Sequence, residues 1–144
     1  MKKLLPAIIA ILIIPFAFAC KKGTNSTGTV TNGVARVELT INPAVIGPGQ
    51  VMLDIQVKSP TSGTNVGTVT IPTGTTKYVS DDYAVTEGQN FTYFLNTNVV
   101  GGCYSITGDI FYNNIKVSSK SFNMGTNLAS CKDGSSTSHN AIVK

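Results

Sequence analysis

Residues 51–58 read Val-Met-Leu-Asp-Ile-Gln-Val-Lys, so an aliphatic side chain stands at every second position. Successive side chains of a β-strand point to opposite faces of the sheet, and a period of two therefore predicts a strand with one buried face. The same alternation runs through residues 34–41, Val-Ala-Arg-Val-Glu-Leu-Thr-Ile. These two stretches indicate a β protein.

Further short segments of this kind follow along the chain, separated by turns rich in Gly, Pro and Asn. Such spacing and punctuation are typical of an antiparallel sandwich or barrel. A chain of 144 residues allows one domain. We therefore expect an all-β domain over residues 34–144, an antiparallel β-sandwich of about seven or eight strands. The later predicted strands are residues 66–71, 77–79, 83–86, 91–96, 103–112 and 115–122.

In size and strand spacing, the predicted domain resembles the immunoglobulin-like class. The chain has no Trp, and its cysteines do not fit the Cys–Trp–Cys pattern of antibody domains. The resemblance is one of architecture, and it implies an immunoglobulin-like sandwich without implying a function.

The hairpin predicted at residues 103–122 can be given a register. Asn113-Asn114 suits a two-residue type I′ turn, because Asn tolerates the positive φ that this turn requires. The inner face then pairs Tyr112 with Ile115, Ile110 with Val117, and Ile106 with Ser121. The outer face pairs Phe111 with Lys116, Asp109 with Ser118, Thr107 with Lys120, and Ser105 with Phe122.

This register directs aromatic rings outward, and Phe94 also falls in the polar phase of its own strand. Outward rings beside basic residues predict an exposed platform for a glycan or a partner protein. The alternative is that another part of the chain covers this side of the sheet and buries the rings. The candidate binding surface consists of Phe94, Phe111, Phe122, Lys116 and Lys120.

The N-terminus has the pattern of a signal peptide over residues 1–19. Lys2 and Lys3 precede an apolar run at residues 4–18. Fifteen helical residues reach about 22 Å, which is shorter than the hydrocarbon core of about 30 Å. A basic start, a short apolar centre and small residues at the exit indicate a cleaved signal rather than a membrane anchor.

The exit, Ala17-Phe18-Ala19-Cys20, allows two interpretations. Ala-x-Ala suits ordinary signal peptidase, which would cut after Ala19 and release a secreted protein. A small residue directly before Cys also resembles the bacterial lipobox, in which the same bond is cut and Cys20 receives the lipid.

Two features favour lipidation of Cys20. Residues 20–33 form a polar linker without apolar periodicity, and a flexible chain of this kind places its ends about 20 Å apart. The chain has three cysteines, so a lipid on Cys20 leaves Cys103 and Cys131 as one disulfide in an oxidising compartment.

This N-terminal pattern resembles that of small bacterial lipoproteins, especially those of the Bacteroidota. The resemblance implies a diacylglyceryl thioether on Cys20, with acyl chains such as palmitate, and membrane attachment through that lipid. It also implies the outer membrane, because Lys21 replaces the Asp that retains lipoproteins in the inner membrane. Acidic residues after the Cys direct some members to the cell surface. Lys21 and Lys22 stand there instead, so we expect the periplasmic side.

Net charge does not indicate a nucleic-acid partner, although it is +4. Of the eleven basic residues, Lys2, Lys3, Lys21 and Lys22 precede the domain, and the remaining seven balance seven acidic residues. Nucleic-acid binding requires clustered basic residues. The neutral domain predicts no such partner.

Residues capable of catalysis or metal binding are few. His139 is the single His, and we expect it in a mobile polar tail that cannot hold a Ser–His pair in place. Asp81, Asp82 and Glu87 offer carboxylates for Ca²⁺ but match no defined calcium loop. Cys103 and Cys131 lack the further ligands of a zinc site. We expect no metal, no cofactor and no enzymatic activity.

The sequence therefore predicts a lipid-anchored, non-enzymatic envelope protein that acts as a recognition or scaffolding module for a protein or a glycan. One alternative is a small secreted or envelope hydrolase that uses Asp81, Asp82 or Glu87. Another is a subunit that adds a strand to a neighbour through an edge such as residues 66–71.

Overall fold

The computed structural model describes residues 31–45, 51–59, 62–98, 102–126, 129 and 131–144. The predicted signal peptide, Cys20, and residues 21–30 of the linker lie outside the described residues. Within the described ranges, no helix is long and apolar enough to cross a membrane.

The described residues form nine β-strands, and the first begins two residues before the expected start of the domain. The alternation that predicted strands at residues 34–41 and 51–58 is confirmed by β1 and β2, which bury every second side chain along most of their length. The strands are β1 (Asn32–Asn42), β2 (Val51–Lys58), β3 (Gly63–Thr70), β4 (Lys77–Val79), β5 (Tyr83–Thr86), β6 (Asn90–Thr97), β7 (Tyr104–Tyr112), β8 (Ile115–Met124) and β9 (Ser136–Ile142).

The nine strands form two antiparallel sheets that pack as a sandwich, which confirms the predicted fold class. Sheet A has five strands in the order β4-β1-β7-β8, with β5 also paired to β1. Sheet B has four strands in the order β3-β2-β6-β9. Aliphatic and aromatic side chains from the facing surfaces of both sheets form one buried core.

One polar contact crosses this core and depends on a glycine. The Tyr93 hydroxyl of β6 donates to the carbonyl oxygen of Gly108 on β7, at 3.2 Å. A Cβ at position 108 would collide with that hydroxyl. Burial, and secondarily the negative charge of Asp109, raises the pKa of Tyr93. Gly108 therefore provides the space in which a buried Tyr can satisfy its hydrogen bond.

The predicted hairpin register is correct at the turn and wrong beyond it. Asn113 and Asn114 have φ values of 48° and 66°, as a type I′ turn requires. Tyr112 pairs with Ile115 and Phe111 with Lys116, but Ile110 pairs with Ser118. Val117 is the extra residue of a β-bulge, and every later pair is shifted by one position.

The bulge reverses the faces of the second half of β8. Ile106 pairs with Phe122 instead of Ser121, Thr107 pairs with Ser121, and Gly108 pairs with Lys120. Phe122 consequently lies in the core with 2% of its surface exposed. Burying this ring rather than a serine contributes a few kcal/mol, which explains why the bulged register is preferred.

The predicted polar tail is also corrected, because residues 136–142 form the strand β9. β9 pairs with β6 along its whole length, from Asn96↔Ser136 to Asn90↔Ile142. Thr137, His139 and Ala141 point toward the core in alternation with exposed residues. The inward set is small or polar, so the alternation did not stand out as apolar periodicity.

The predicted disulfide is present between Cys103 and Cys131, whose Cα atoms are 5.6 Å apart. Cys103 precedes β7 in sheet A, and Cys131 lies in the connection that leads to β9 in sheet B. The bond therefore links the two sheets and closes a loop across the β7–β8 hairpin.

Candidate functional site

The two outer faces of the sandwich differ in chemistry, and we call the outer face of sheet A the charged face. Arg36 Nη2 lies 2.8 Å from Glu38 Oε1. Lys116 Nζ lies 3.3 Å from Asp109 Oδ2 across the β7–β8 hairpin. The charged face consists of Val34, Arg36, Glu38, Thr40, Lys77, Val79, Ser105, Thr107, Asp109, Phe111, Lys116, Ser119 and Ser121.

Phe111, the aromatic residue of the charged face, is covered by a side chain from the neighbouring strand. The guanidinium carbon of Arg36 lies 4.8 Å from the centre of the Phe111 ring. Arg36 is fixed there by Glu38 and by a hydrogen bond of 2.6 Å to Asn114 Oδ1 at the hairpin turn. A ring face covered by a guanidinium that is itself held in place is not free to stack on a ligand.

We call the outer face of sheet B the amide face, because amide and hydroxyl side chains dominate it. Its two charged side chains among the described residues are Asp54 and Lys58. The amide face consists of Met52, Asp54, Gln56 and Lys58 of β2, Asn65, Thr68 and Thr70 of β3, Asn90, Thr92, Phe94 and Asn96 of β6, and Ser136, Ser138, Asn140 and Ile142 of β9.

Phe94 lies in the middle of the amide face on the interior strand β6, and its side chain is half-buried. Asp54 stands directly opposite on one side and Ser138 on the other. Lys58 Nζ lies 5.8 Å from the centre of the ring, near the outer limit of a cation–π contact. Because serine is small, the ring is left open toward β9.

The carboxylate next to this ring is already satisfied by hydrogen bonds. Asp54 Oδ1 accepts from the Thr68 hydroxyl at 2.7 Å, and Asp54 Oδ2 accepts from Asn96 Nδ2 at 3.2 Å. These two bonds orient Asp54 and Asn96 around Phe94. They form a preorganised polar frame on three adjacent strands.

The five residues of the candidate binding surface do not form one platform. Phe94 lies on the amide face, whereas Phe111 and Lys116 lie on the opposite, charged face. Phe122 is in the core, and Lys120 Nζ lies 4.9 Å from its ring at the β8 edge. The prediction failed at Phe122 because the bulge at position 117 was not foreseen.

His139 does not lie in a mobile tail. It lies on β9 and bridges the two sheets along the side of the sandwich where β8 and β9 are the edge strands. Its Nε2 lies 2.8 Å from the Ser118 hydroxyl of β8. Its ring and the ring of Tyr93 pack in a T-shaped arrangement, with their centroids 5.8 Å apart. Burial, and secondarily the charge of Lys120, lowers the pKa of His139. This Ser–His contact joins the edge strands of the two sheets.

Of the acidic residues proposed for a hydrolase, Asp81 and Asp82 are neighbours in the chain and Glu87 lies apart from them. Asp81 and Asp82 precede β5 and Glu87 follows it, all on exposed positions. Five extended residue steps separate Asp82 from Glu87, about 16 Å, whereas glycosidase carboxylates lie about 5–9.5 Å apart. Among the described residues, no group of three metal-ligating side chains forms a metal site.

An open groove of about 510 Å³ lies between the sheets at the end where β1 begins. Uncharged residues line it, namely Asn32, Val57, Ser59, Ser62, Thr64, Val66, Ala84, Val85, Thr86 and Gln89. The three acidic residues discussed above are not part of this lining. The groove therefore gives the hydrolase alternative no support.

The sequence identified Phe94 but not the residues that surround it on the amide face. Ser138 and Asn140 were missed because β9 was predicted as a tail, and Asn96 because its role depends on Asp54 of another strand. The alternation of residues 136–142 was the available signal for β9. No family model matches the chain, and no curated protein or solved structure matches it either.

Proposed function

We propose that this protein is a lipid-anchored, non-enzymatic recognition module of the bacterial envelope, attached to the outer membrane through Cys20. The signal-peptide pattern, the small residue before Cys20 and the polar segment after it support the anchor. The domain presents the amide face to its ligand, on the periplasmic side of the membrane.

The observation that carries this proposal is the difference between two phenylalanines. Each lies on the outer face of an interior strand, Phe94 in sheet B and Phe111 in sheet A. Arg36 covers Phe111, whereas Ser138 leaves the ring of Phe94 open. An open aromatic ring in a frame of oriented polar groups is typical of a binding surface.

Site-specific photo-cross-linking in intact cells tests the proposal. A compact diazirine amino acid replaces Ser138 on the amide face, because a benzophenone there would cover Phe94, and a matched variant carries the same group at Ser119 on the charged face. Both serines are exposed on edge strands. We expect an adduct from position 138 that is lost when Phe94→Ala is added, and none from position 119. Adducts from position 119 alone would contradict the proposal.

The strand-adding alternative is favoured by one observation and opposed by another. β3 is an edge strand with β2 as its single partner in sheet B, as that alternative requires. However, the bulge beside Val66 interrupts its register, and the Gly67 N–H already donates to Asn65 Oδ1. Both features restrict strand addition at an edge.

A further inference from the structure

We propose that the ligand of the amide face is a neutral glycan that stacks on Phe94. This inference rests on the proposed function and names its ligand class.

The charge of the amide face matches a neutral ligand. Asp54 is the carboxylate nearest to Phe94, and its oxygens accept hydrogen bonds from Thr68 and Asn96. The backbone of Lys58 lies on the rung formed with Asn90, but its Nζ reaches to 5.8 Å from the centre of the Phe94 ring, so one positive and one negative side chain stand beside the ring. An anionic ligand over Phe94 would be repelled by Asp54, and a cationic ligand would be repelled by Lys58. A ligand without charge meets neither cost.

The hydrogen-bonding groups suit a polyhydroxylated ligand. Gln56, Thr92 and Asn140 form one rung across β2, β6 and β9, next to the rung that contains Phe94. Neighbouring strands lie about 4.8 Å apart, and successive rungs on one face of a sheet lie about 6.8 Å apart. These distances from the ring to the polar groups are comparable to the size of one sugar unit. Each amide both donates and accepts, as each sugar hydroxyl does.

Two buried polar atoms of the central strand support the same region. Thr92 is 5% exposed, and its Oγ1 has no hydrogen-bond partner among the described residues. Asn90 Oδ1, on the same face of β6, is also buried and also has no hydrogen-bond partner among the described residues. Buried polar atoms are normally satisfied, so these two mark a place where a partner is missing. The third such atom, Asp109 Oδ1, belongs to a carboxylate paired with Lys116.

The ring supplies the apolar part of the contact. The face of an aromatic ring carries partial negative charge, and the C–H groups on one side of a pyranose carry partial positive charge. Stacking on Phe94 thus places the sugar hydroxyls at the rim, within reach of Gln56, Asn96 and Asn140. Phe111 cannot act in this way because Arg36 already occupies its ring.

The test is equilibrium binding of the full mature chain in detergent micelles. The probes are neutral hexose oligosaccharides of different linkage, and matched oligosaccharides that carry uronic acid or sulfate groups. We expect a neutral oligosaccharide to bind, with affinity reduced at least tenfold by Phe94→Ala and by Phe94→Leu. Phe111→Ala is the matched control and should bind as the unmodified chain does. A single cooperative melting transition in each variant would show that it is folded.

Three results would overturn the inference: preference for the charged oligosaccharides, binding unaffected by the Phe94 variants, or no binding of any neutral oligosaccharide in the panel. The cross-linking experiment separates this failure from failure of the proposed function. If position 138 still gives a Phe94-dependent adduct, the surface is correct and the ligand class is wrong. If that adduct is also absent, both proposals fail.

Discussion

Phe94 and Phe111 occupy corresponding places in the two sheets, yet their surroundings assign them different roles. On the charged face, Arg36 reaches Phe111 because Glu38 and Asn114 hold its guanidinium in position. On the amide face, the residue beside Phe94 on β9 is a serine, and the nearest carboxylate bonds to Thr68 and Asn96. An outward aromatic ring is therefore a binding candidate only when no neighbouring side chain is held fixed over its face.

The largest expected effect concerns the phenylalanine that belongs to neither face. Phe122→Ala removes a buried ring that packs edge-on against Tyr93, and we expect a loss of about 3–5 kcal/mol of unfolding free energy. Chemical denaturation of Phe122→Ala beside Phe94→Ala and Phe111→Ala measures the difference. If the three variants lost equal stability, the bulged register would be wrong.

The next effect concerns the Cys103–Cys131 disulfide, which links the two sheets. Replacing Cys103 and Cys131 by serine opens the loop between two residues that are 28 positions apart. The free energy of unfolding should fall by about 3.5 kcal/mol. Denaturation of the double variant, compared with the oxidised chain, provides the measurement. Equal stability would mean that the disulfide does not constrain the unfolded chain.

Arg36→Ala tests whether the charged face is structural. The change removes the cation–π contact with Phe111 and the hydrogen bonds to Glu38 and Asn114. The free energy of unfolding should fall by about 1.5 kcal/mol. Part of the loss should disappear in high salt, because ion pairs at the surface are screened. Uncovering Phe111 should not produce glycan binding, because the charged face lacks the amide side chains that lie around Phe94. Binding at the uncovered ring would show that covering alone distinguishes the two faces.

Phe94→Ala should affect stability less, by about 1 kcal/mol, because the ring is only half-buried. Its effect on ligand binding should be large. A melting curve and a binding titration on the same sample separate these quantities. A strong loss of stability would mean that Phe94 is structural, and the comparison between the two faces would fail.

The smallest expected effect is the pH dependence contributed by His139. Its pKa is lowered in the folded chain, so the unfolded chain binds the proton more readily. Stability is therefore constant above the unfolded pKa of about 6.5, and falls between that pH and the lower pKa of the folded state. Protonation would also place a positive charge beside Lys120. In His139→Gln this pH dependence should be absent from denaturation curves recorded across that range.

The sequence predictions succeeded where the pattern lies within a single strand or turn, and failed where it depends on contacts with other strands. β2 and the Asn113-Asn114 turn were predictable, since alternation and positive φ are local properties. The bulge at Val117 was not, because it gains its energy from Phe122 packing against Tyr93 of the other sheet. β9 was missed since its inward residues include His139 and Thr137, which are stabilised by neighbouring strands rather than by their own hydrophobicity.

For the candidate site, the sequence indicated that Phe94 points outward, and the structure confirms this position. It could not indicate that Phe111 is covered, because the contact joins β1 to β7 across a separation that no local pattern encodes. Lys120 was expected beside outward rings, but the shifted register moves it to the β8 edge. Contacts between strands, rather than the strands themselves, distinguish the amide face from the charged face.

The most direct test of the central claim compares one serine from each face. Ser138→Cys on the amide face and Ser119→Cys on the charged face are labelled with a membrane-permeant maleimide, first in intact cells and then in the purified chain. Both serines are exposed, so the purified variants should react at similar rates. We expect position 138 to be protected in cells and to become reactive with Phe94→Ala, while position 119 reacts equally in both settings. Protection of position 119 with free reaction at position 138 would contradict it.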